Sequence, residues 1–305
     1  MTATTTRALV DAAVRAGTAV PSFNVIGLEH AQGIVLGAEC AGTGVLLQLS
    51  ENAVRYHGGL RPLLAACHEL ALGARVGVAV HLDHVEDPDL VSETIALGQE
   101  AGVGSVMVDA STLPWAENVS VTADAVRRAR AAGLWVEAEL GAIGGKDGAH
   151  APGVRTDPEE AAAFVAATDV DGLAVAVGSS HAMADRSASL DLDLLARLAA
   201  AVPVPLVLHG SSGVPDDVLR AAVAAGIRKV NVGTALNIAW TGAVREVLSA
   251  DAALTDPRRY GRPGREAVAD AVAAFCAVVA PPATASGPHA PSSHHAPASP
   301  APAGR

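Results

Sequence analysis

The sequence predicts an α/β fold in which eight βα units close into a (β/α)8 TIM barrel. Three observations support it: eight short apolar runs the length of buried strands, helix-like segments between them, and glycines where those segments end. The predicted strands are residues 19–25, 44–49, 77–83, 105–109, 135–140, 173–177, 205–209 and 229–232. Apolar runs of this kind are typical of parallel strands covered by helices.

Helices are predicted between the strands because these segments are rich in Ala, Leu, Glu and Arg, with apolar residues at helical spacing. They are residues 28–41, 60–72, 87–101, 122–132, 158–167, 191–201 and 215–225. Glycine tolerates the left-handed conformation that ends many helices, and it stands after five of them, as Gly42, Gly73, Gly102, Gly133 and Gly226. A doubly wound sheet is the competing architecture, but the first turn reads FNVIGLEH and lacks a glycine-rich phosphate loop.

The composition favours a cytoplasmic protein that binds a small molecule. The 305-residue chain carries a formal net charge of −11, whereas a nucleic acid or an anionic membrane would require a clustered basic surface. The sequence has neither a signal-peptide core nor a run of roughly 18 apolar residues that could span a membrane. Cys40, Cys67 and Cys276 lack CxxC spacing, so we expect buried free thiols in a reducing compartment.

We expect a single barrel domain over residues 1–280 and a disordered tail over residues 281–305. The tail is rich in Pro, Ala, Ser and His and has too little apolar content to order itself. His289, His294 and His295 could bind metal adventitiously, but a flexible end is the simpler interpretation.

Three histidines stand at or just beyond the C-terminal ends of predicted strands. His84 follows Asp83 after the third strand, His181 follows the sixth strand, and His209 ends the seventh. Active sites of TIM barrels collect at this rim, and three imidazoles converging there would leave zinc an open position, as a catalytic site requires. A lone histidine at any of these positions would more often be a hydrogen-bonded structural residue.

Two predicted strands also carry carboxylates. Asp109 ends the fourth strand, whereas Glu137 and Glu139 lie two residues apart in the fifth. The two glutamates therefore share one side of that strand, which is either the barrel interior or the helix-facing layer. Burial of a carboxylate on either side requires partners, and a salt bridge would supply them without any functional role.

Two turns after the seventh and eighth strands contain glycine, serine and threonine. They read HGSSG from His209 and NVGT from Asn231. In TIM barrels the loops at this location often hold a phosphate through backbone N–H groups and a helix N-terminus. The pair of turns therefore predicts a phosphorylated substrate.

The chain resembles the class II, metal-dependent fructose-bisphosphate and tagatose-bisphosphate aldolases. The resemblance runs in order from about residue 19 to residue 260 and rests on the segments AVPSFNV, QLSENAVRYHGG, HLDH, SVMVDAS, VEAELGAIGG, TDPEEA, GSSH, PLVLHGSSG, KVNVGT and TDPRRY. It implies reversible aldol cleavage of a ketose 1,6-bisphosphate to dihydroxyacetone phosphate and glyceraldehyde 3-phosphate, with zinc stabilising the enediolate. Fructose 1,6-bisphosphate is the favoured substrate, and tagatose 1,6-bisphosphate or another sugar phosphate is the alternative.

The resemblance also implies roles for particular residues. It assigns zinc to His84, His181 and His209, general acid/base catalysis to Asp83, and a second metal position to Asp109 and Glu139. It places one phosphate, often with Na⁺ or K⁺ nearby, on the residues Gly210, Ser211, Ser212, Asn231, Val232, Gly233 and Thr234. Ser50 and Arg258 match positions near the other phosphate, with Arg258 reaching from a partner subunit. The family also implies a homodimer or homotetramer.

Three positions depart from the family pattern. Ala182 replaces a usual glycine in the substrate-binding turn after His181, and Asp147 stands in a short GGKDG loop where a glutamate commonly transfers a proton. Gly233 occupies a position that is aspartate in a long-chain fructose-type branch, so the chain is nearer the branch that contains tagatose-type enzymes.

Three other functions stay open on the sequence. A Schiff-base aldolase needs a lysine at the rim, and the chain has only Lys146 and Lys229. A non-catalytic sugar-phosphate-binding barrel would explain Ala182 and the short loop, although Asp83 and the three histidines are retained. Zinc-dependent hydrolysis would use the same three ligands with an activated water.

Overall fold

The computed structural model describes residues 4–140, 155–179 and 186–281, in which eight parallel strands close into a barrel. Each strand pairs with its neighbours in sequence, and β1 closes the ring against β8. The strands are β1 (Val20–Asn24), β2 (Val45–Ser50), β3 (Val78–Val85), β4 (Val103–Val108), β5 (Trp135–Glu139), β6 (Gly172–Ala174), β7 (Leu206–Leu208) and β8 (Ile227–Val232). The predicted TIM barrel is therefore confirmed.

One helix precedes the first strand, and the other helices follow strands and cover the outside of the barrel. They are α1 (Thr6–Ala16), α2 (Leu28–Ala41), α3 (Glu51–Tyr56), α4 (Leu60–Gly73), α5 (Pro88–Leu97), α6 (Trp115–Ala131), α7 (Pro158–Thr168), α8 (Leu192–Ala201), α9 (Asp216–Ala225), α10 (Thr234–Ala250) and α11 (Pro257–Val279). Short 3-10 helices span Gln99–Ala101 and Ser211–Gly213. No helix within the described ranges is long and apolar enough to cross a membrane.

Several local predictions differ from the structure. The helix predicted over 87–101 breaks at Gly98, whose φ of 59° interrupts it before the 3-10 turn. The helix predicted over 122–132 begins seven residues earlier, at Trp115, directly after the non-helical Pro114. Gly73 is the last residue of α4 rather than a left-handed residue beyond it, and Ala74 continues in an extended conformation. The structure also adds α1, α3, α10 and α11, which lie outside the predicted helices.

The expectation of three buried thiols is also wrong at one position. Cys67 and Cys276 are buried, but Cys40 is exposed near the C-terminal end of α2. The buried face of that helix is formed by other residues, among them Ile34 and Ala38. Helical spacing places Cys40 away from them, toward solvent.

Side chains alternate between the two faces of the barrel wall. On β5, Val136 and Ala138 belong to the apolar layer under the helices, whereas Glu137 contacts groups inside the barrel. The two glutamates of β5 therefore face the interior, which resolves the alternatives left by their spacing. At the bottom of the interior lies an apolar plug that includes Leu46, Met107, Trp135 and Val207, and α1 packs against it.

Candidate active site at the barrel mouth

The candidate site lies at the C-terminal ends of the strands. Asp83 and His84 are near the end of β3, and Ser50 at the end of β2 pairs in register with Asp83. Asp109 follows β4, His209 follows β7, and Asn231 lies in β8. Since parallel strands in a closed barrel end at one rim, residues distant in sequence meet there.

A local irregularity lets two consecutive side chains contribute to this site. His84 has φ of 48°, in the left-handed region, and the pairing of β3 with β4 shifts between Leu82 and Val85. In a regular strand Asp83 and His84 would point to opposite faces, but the bulge turns His84 toward Asp109 and His209. A left-handed residue other than glycine costs about 1–3 kcal/mol, a strain often found at functional sites.

The imidazoles of His84 and His209 face each other. Nε2 of His84 lies 2.9 Å from Nδ1 of His209. The other ring nitrogen of each histidine meets a carboxylate: His84 Nδ1 lies 2.7 Å from Asp109, and His209 Nε2 lies 2.8 Å from Glu137. Metal-binding histidines typically have this arrangement, because the carboxylate fixes the tautomer and so directs the opposite nitrogen toward a metal.

Two groups of side chains have ligand atoms close enough to bind a metal ion. One contains Asp83, His84 and His209, and the other contains His84, Asp109 and Glu139; within each group the ligand atoms lie within 4.8 Å of one another. Imidazole nitrogens and carboxylate oxygens are ligands that zinc accepts. The residues present therefore fit a zinc ion.

Burial and neighbouring charges shift the acidities of the site. Burial raises the pKa of Asp83, even though the adjacent His84 lowers it. Burial also disfavours charge on His84, but Asp83, Asp109 and Glu139 outweigh that effect and raise its pKa to about 10. Burial would raise the pKa of Asp109, but hydrogen bonds from His84 and Ser111 hold it well below its usual range. The pKa of each of these side chains therefore depends on the charges of its neighbours.

The two glycine-containing turns are joined to each other. Ala235, in the first turn of α10, donates its backbone N–H to Ser212 Oγ over 3.1 Å. Gly210 has φ of 67°, and the 3-10 turn from Ser211 begins directly after it. The structure thereby brings the residues after β7 beside the N-terminus of α10, where backbone N–H groups are available to an anion.

Four predicted site residues lie elsewhere or outside the described ranges. His181, Ala182 and Asp147 lie outside the residues that the structure describes. Arg258 lies in the first turn of α11 with 89% of its side chain exposed, and its guanidinium contacts Asp256. Within this chain Arg258 is a surface residue.

The contacts of the buried Lys229 were not predicted from the sequence. Lys229 lies 2.8 Å from Glu137 and 2.6 Å from the side-chain oxygen of Asn231, with its own side chain fully buried. Spacing gave the one sequence signal for these contacts. Lys229 and Asn231 are two residues apart and so share one side of β8, and Glu137 lies on the interior side of β5.

The comparisons with known proteins point to one family. Residues 4–281 match the family model described as "Fructose-bisphosphate aldolase class-II". The chain belongs to this family. It is therefore a class II aldolase, an enzyme of reversible aldol cleavage in a family that acts on phosphorylated sugars and generally uses zinc.

Individual relatives agree with this assignment. The class II aldolase is 38% identical over 264 residues to a fructose-bisphosphate aldolase from Geobacillus stearothermophilus, which covers 85% of this chain and 91% of the relative. The crystal structure of the YdjI aldolase from Escherichia coli K12 matches with a TM-score of 0.77 and 29% identity, over 92% of this chain and 98% of that one. A fructose-bisphosphate aldolase from Campylobacter jejuni shares the fold, with a TM-score of 0.77, 22% identity and coverage of 90% and 94%.

Proposed function

We propose that this class II aldolase cleaves and forms fructose 1,6-bisphosphate, with one zinc ion held by His84, His209 and His181. The observation that carries the proposal is the pair of facing imidazoles, each oriented from behind by a carboxylate. His181 is proposed as the third ligand on family resemblance alone, because it lies outside the described residues. Asp109 and Glu139, which form a donor group with His84, are proposed as a second metal position.

The metal and the chain would divide the chemistry between them. Zinc, when bound, supplies a Lewis acid that polarises the ketone of the substrate. Asp83 would take the proton from the C4 hydroxyl as the C3–C4 bond breaks, releasing glyceraldehyde 3-phosphate and leaving the bonding electron pair on the three-carbon fragment. A proton delivered to C3 then completes dihydroxyacetone phosphate, a role proposed for Asp147.

The surroundings of Asp83 suit reversible proton transfer. Its side chain is buried, and burial raises its pKa toward the range in which a carboxyl group both accepts and returns a proton. Asn231 Nδ2 donates to Asp83 Oδ1 over 3.3 Å, which orients the carboxylate. The second oxygen can then serve the substrate hydroxyl.

The phosphate of dihydroxyacetone phosphate would sit where the two joined turns meet. The residues proposed to bind this phosphate are Gly210, Ser211, Ser212, Ala182, Asn231, Val232, Gly233 and Thr234. The hydrogen bond from Ala235 to Ser212 supports this placement, because it holds one turn against the start of a 17-residue helix. We extend the proposal to Ser50 and a partner subunit's Arg258 at the second phosphate, and to Na⁺ or K⁺ near the first.

We propose a homodimer or homotetramer in the cytoplasm. Large apolar side chains exposed on the described surface, including Leu28 and Ile238, support assembly because they would be covered in an oligomer. Size-exclusion chromatography coupled to light scattering measures the number of subunits.

Triose phosphate release tests the proposed function. We expect the zinc-loaded protein to cleave fructose 1,6-bisphosphate faster than tagatose 1,6-bisphosphate, measured by coupled reduction of the released dihydroxyacetone phosphate. A reversed rate ratio would assign the tagatose substrate. Cleavage of neither bisphosphate, with binding of both, would contradict the proposed function and favour a non-catalytic barrel.

A further inference from the structure

Lys229 is a fully buried cation inside the barrel, beneath the candidate site. Its Nζ lies 2.8 Å from Glu137 Oε2, donates to Asn231 Oδ1 over 2.6 Å, and lies 3.5 Å from His81 Nε2. The contact with Glu137 is an ion pair, and the closest hydrogen bond of the ammonium group goes to Asn231. This amine is therefore engaged by its neighbours rather than presented to a carbonyl substrate.

The first contact controls a ring tautomer. Lys229 neutralises the charge of the Glu137 carboxylate. The carboxylate Oε1 lies 2.8 Å from His209 Nε2 and accepts a hydrogen bond from it. His209 must then carry its proton on Nε2, which leaves the lone pair of Nδ1 directed at the site. Without Lys229, the Glu137 carboxylate loses the cation that holds its Oε2, so its Oε1 is no longer fixed opposite His209 Nε2.

The second contact controls an amide orientation. Because Lys229 donates to Asn231 Oδ1, the amide nitrogen of Asn231 must point the other way. That nitrogen donates to Asp83 Oδ1 over 3.3 Å and also lies 3.3 Å from His209 Nδ1 and 3.2 Å from His209 Nε2. The buried ammonium group of Lys229 therefore orients two groups. It fixes the His209 ring through Glu137, and it fixes the Asn231 amide that donates to Asp83.

We propose that Lys229 is a positioning residue that sets the His209 tautomer through Glu137 and the Asn231 amide orientation toward Asp83. This role rests on the proposed function. It predicts that loss of the Lys229 charge weakens zinc binding about 10- to 100-fold, as loss of partners behind metal ligands typically does. It also predicts a fall in kcat beyond any change in KM, because Asp83 loses its orienting donor.

The test compares Lys229→Met with Ser105→Ala, a control in the same buried cluster. Ser105 contacts His81 Nδ1 over 2.8 Å and Thr6 over 2.7 Å, on the side of the cluster away from the site. In the metal-free protein, ¹⁵N–¹H spectra of labelled histidines report the His209 tautomer. We expect the Nε2–H form in wild type and Ser105→Ala, and its loss in Lys229→Met.

Zinc affinity is then measured by competition with a chromophoric chelator. If Lys229→Met does not fold, the double variant Lys229→Met/Glu137→Gln replaces the ion pair with neutral groups of similar size and carries the same expectation. An unchanged tautomer and zinc affinity, or an equal loss in Ser105→Ala, overturns the inference without affecting cleavage by wild type. Absent cleavage by zinc-loaded wild type overturns the proposed function and this role with it.

Discussion

Strand ends and one backbone irregularity at His84 bring the side chains of the barrel mouth together. Asp83, His84 and His209 stand at strand ends, and the topology of a closed parallel barrel brings such positions together. The left-handed backbone at His84 was not predictable, because it arises from the pairing of β3 with β4. Nor could spacing alone show that Glu137 would meet His209.

Replacing Asp83 with Asn tests its proposed role at the level of one atom. Asp83→Asn keeps the side-chain shape but removes the group that accepts a proton, so we expect kcat for fructose 1,6-bisphosphate cleavage to fall by about 10²- to 10⁴-fold. Steady-state kinetics of zinc-loaded enzyme measure it. Asp89→Asn, on the exposed start of α5, serves as the control and should retain kcat. Near-normal turnover by Asp83→Asn would remove the residue from the mechanism.

His81 should make the protein less stable in mild acid. Burial first, and then the charge of Lys229, lower the pKa of His81 well below its usual value. Between the unfolded pKa of about 6.5 and the lower folded pKa, the unfolded chain binds a proton that the folded chain does not. The stability contributed by neutral His81 is therefore present above about pH 6.5 and lost as the pH falls.

Chemical denaturation with a chelator present measures this effect. Between about pH 7.5 and about pH 5.5, we expect wild type to lose roughly 1 kcal/mol more stability than His81→Gln, because only wild type carries this titrating ring. Histidines distant from His81 contribute equally to both proteins. Parallel pH profiles for the two proteins would show that His81 titrates normally in the folded state.

At the scale of elements, the alternation of strands and helices was readable, but the closest helix contacts were not. Gly33 and Gly37 on α2 lie against α11, where a Cβ on Gly37 would approach Ala269 O to 2.3 Å. The spacing of two glycines four apart marks one helix face. It does not identify the partner helix, because α11 is far from α2 in the sequence.

Gly37→Ala should destabilise the barrel through this helix pair. The added methyl group meets backbone rather than a flexible side chain, so the helices must separate, at a cost of about 1–3 kcal/mol. Thermal or chemical unfolding measures it. The control is Gly242→Ala on α10, where nothing lies within 4 Å of the new Cβ and helix propensity should raise stability by up to about 1 kcal/mol. Equal effects at both glycines would contradict the packing argument.

Glu51 connects α3 to the segment after His84. Its buried carboxylate accepts the backbone N–H groups of Glu86 over 2.7 Å and Asp87 over 3.0 Å. Glu51→Ala leaves these donors without their acceptor, so we expect a loss of about 1–3 kcal/mol in unfolding free energy and weaker zinc binding.

Arg55→Ala provides the matched control for Glu51. Arg55 forms an ion pair with Glu51, but its side chain is 68% exposed. Removing such an exposed partner should cost at most about 1 kcal/mol. If Arg55→Ala matches Glu51→Ala in stability and zinc affinity, the backbone contacts of Glu51 do not stabilise this segment.

At the scale of the whole molecule, the closed barrel, the family and the enzyme class followed from the sequence and are confirmed by the topology and the comparisons. The interior could not be predicted in the same way. Its central polar cluster, including His81, Ser105, Glu137 and Lys229, forms only when strands distant in sequence align. Strand register sets those contacts, and short apolar runs leave the register undefined.

Removal and return of zinc test the central claim most directly. Fructose 1,6-bisphosphate cleavage is measured before chelation, after the chelator has been dialysed away, and after one equivalent of zinc is added, in wild type, His209→Asn and the control His68→Asn on α4. The account predicts that cleavage in wild type and His68→Asn is lost on chelation and restored by zinc, and that His209→Asn is not restored. Full cleavage by metal-free wild type, or zinc-restored activity in His209→Asn equal to wild type, would contradict it.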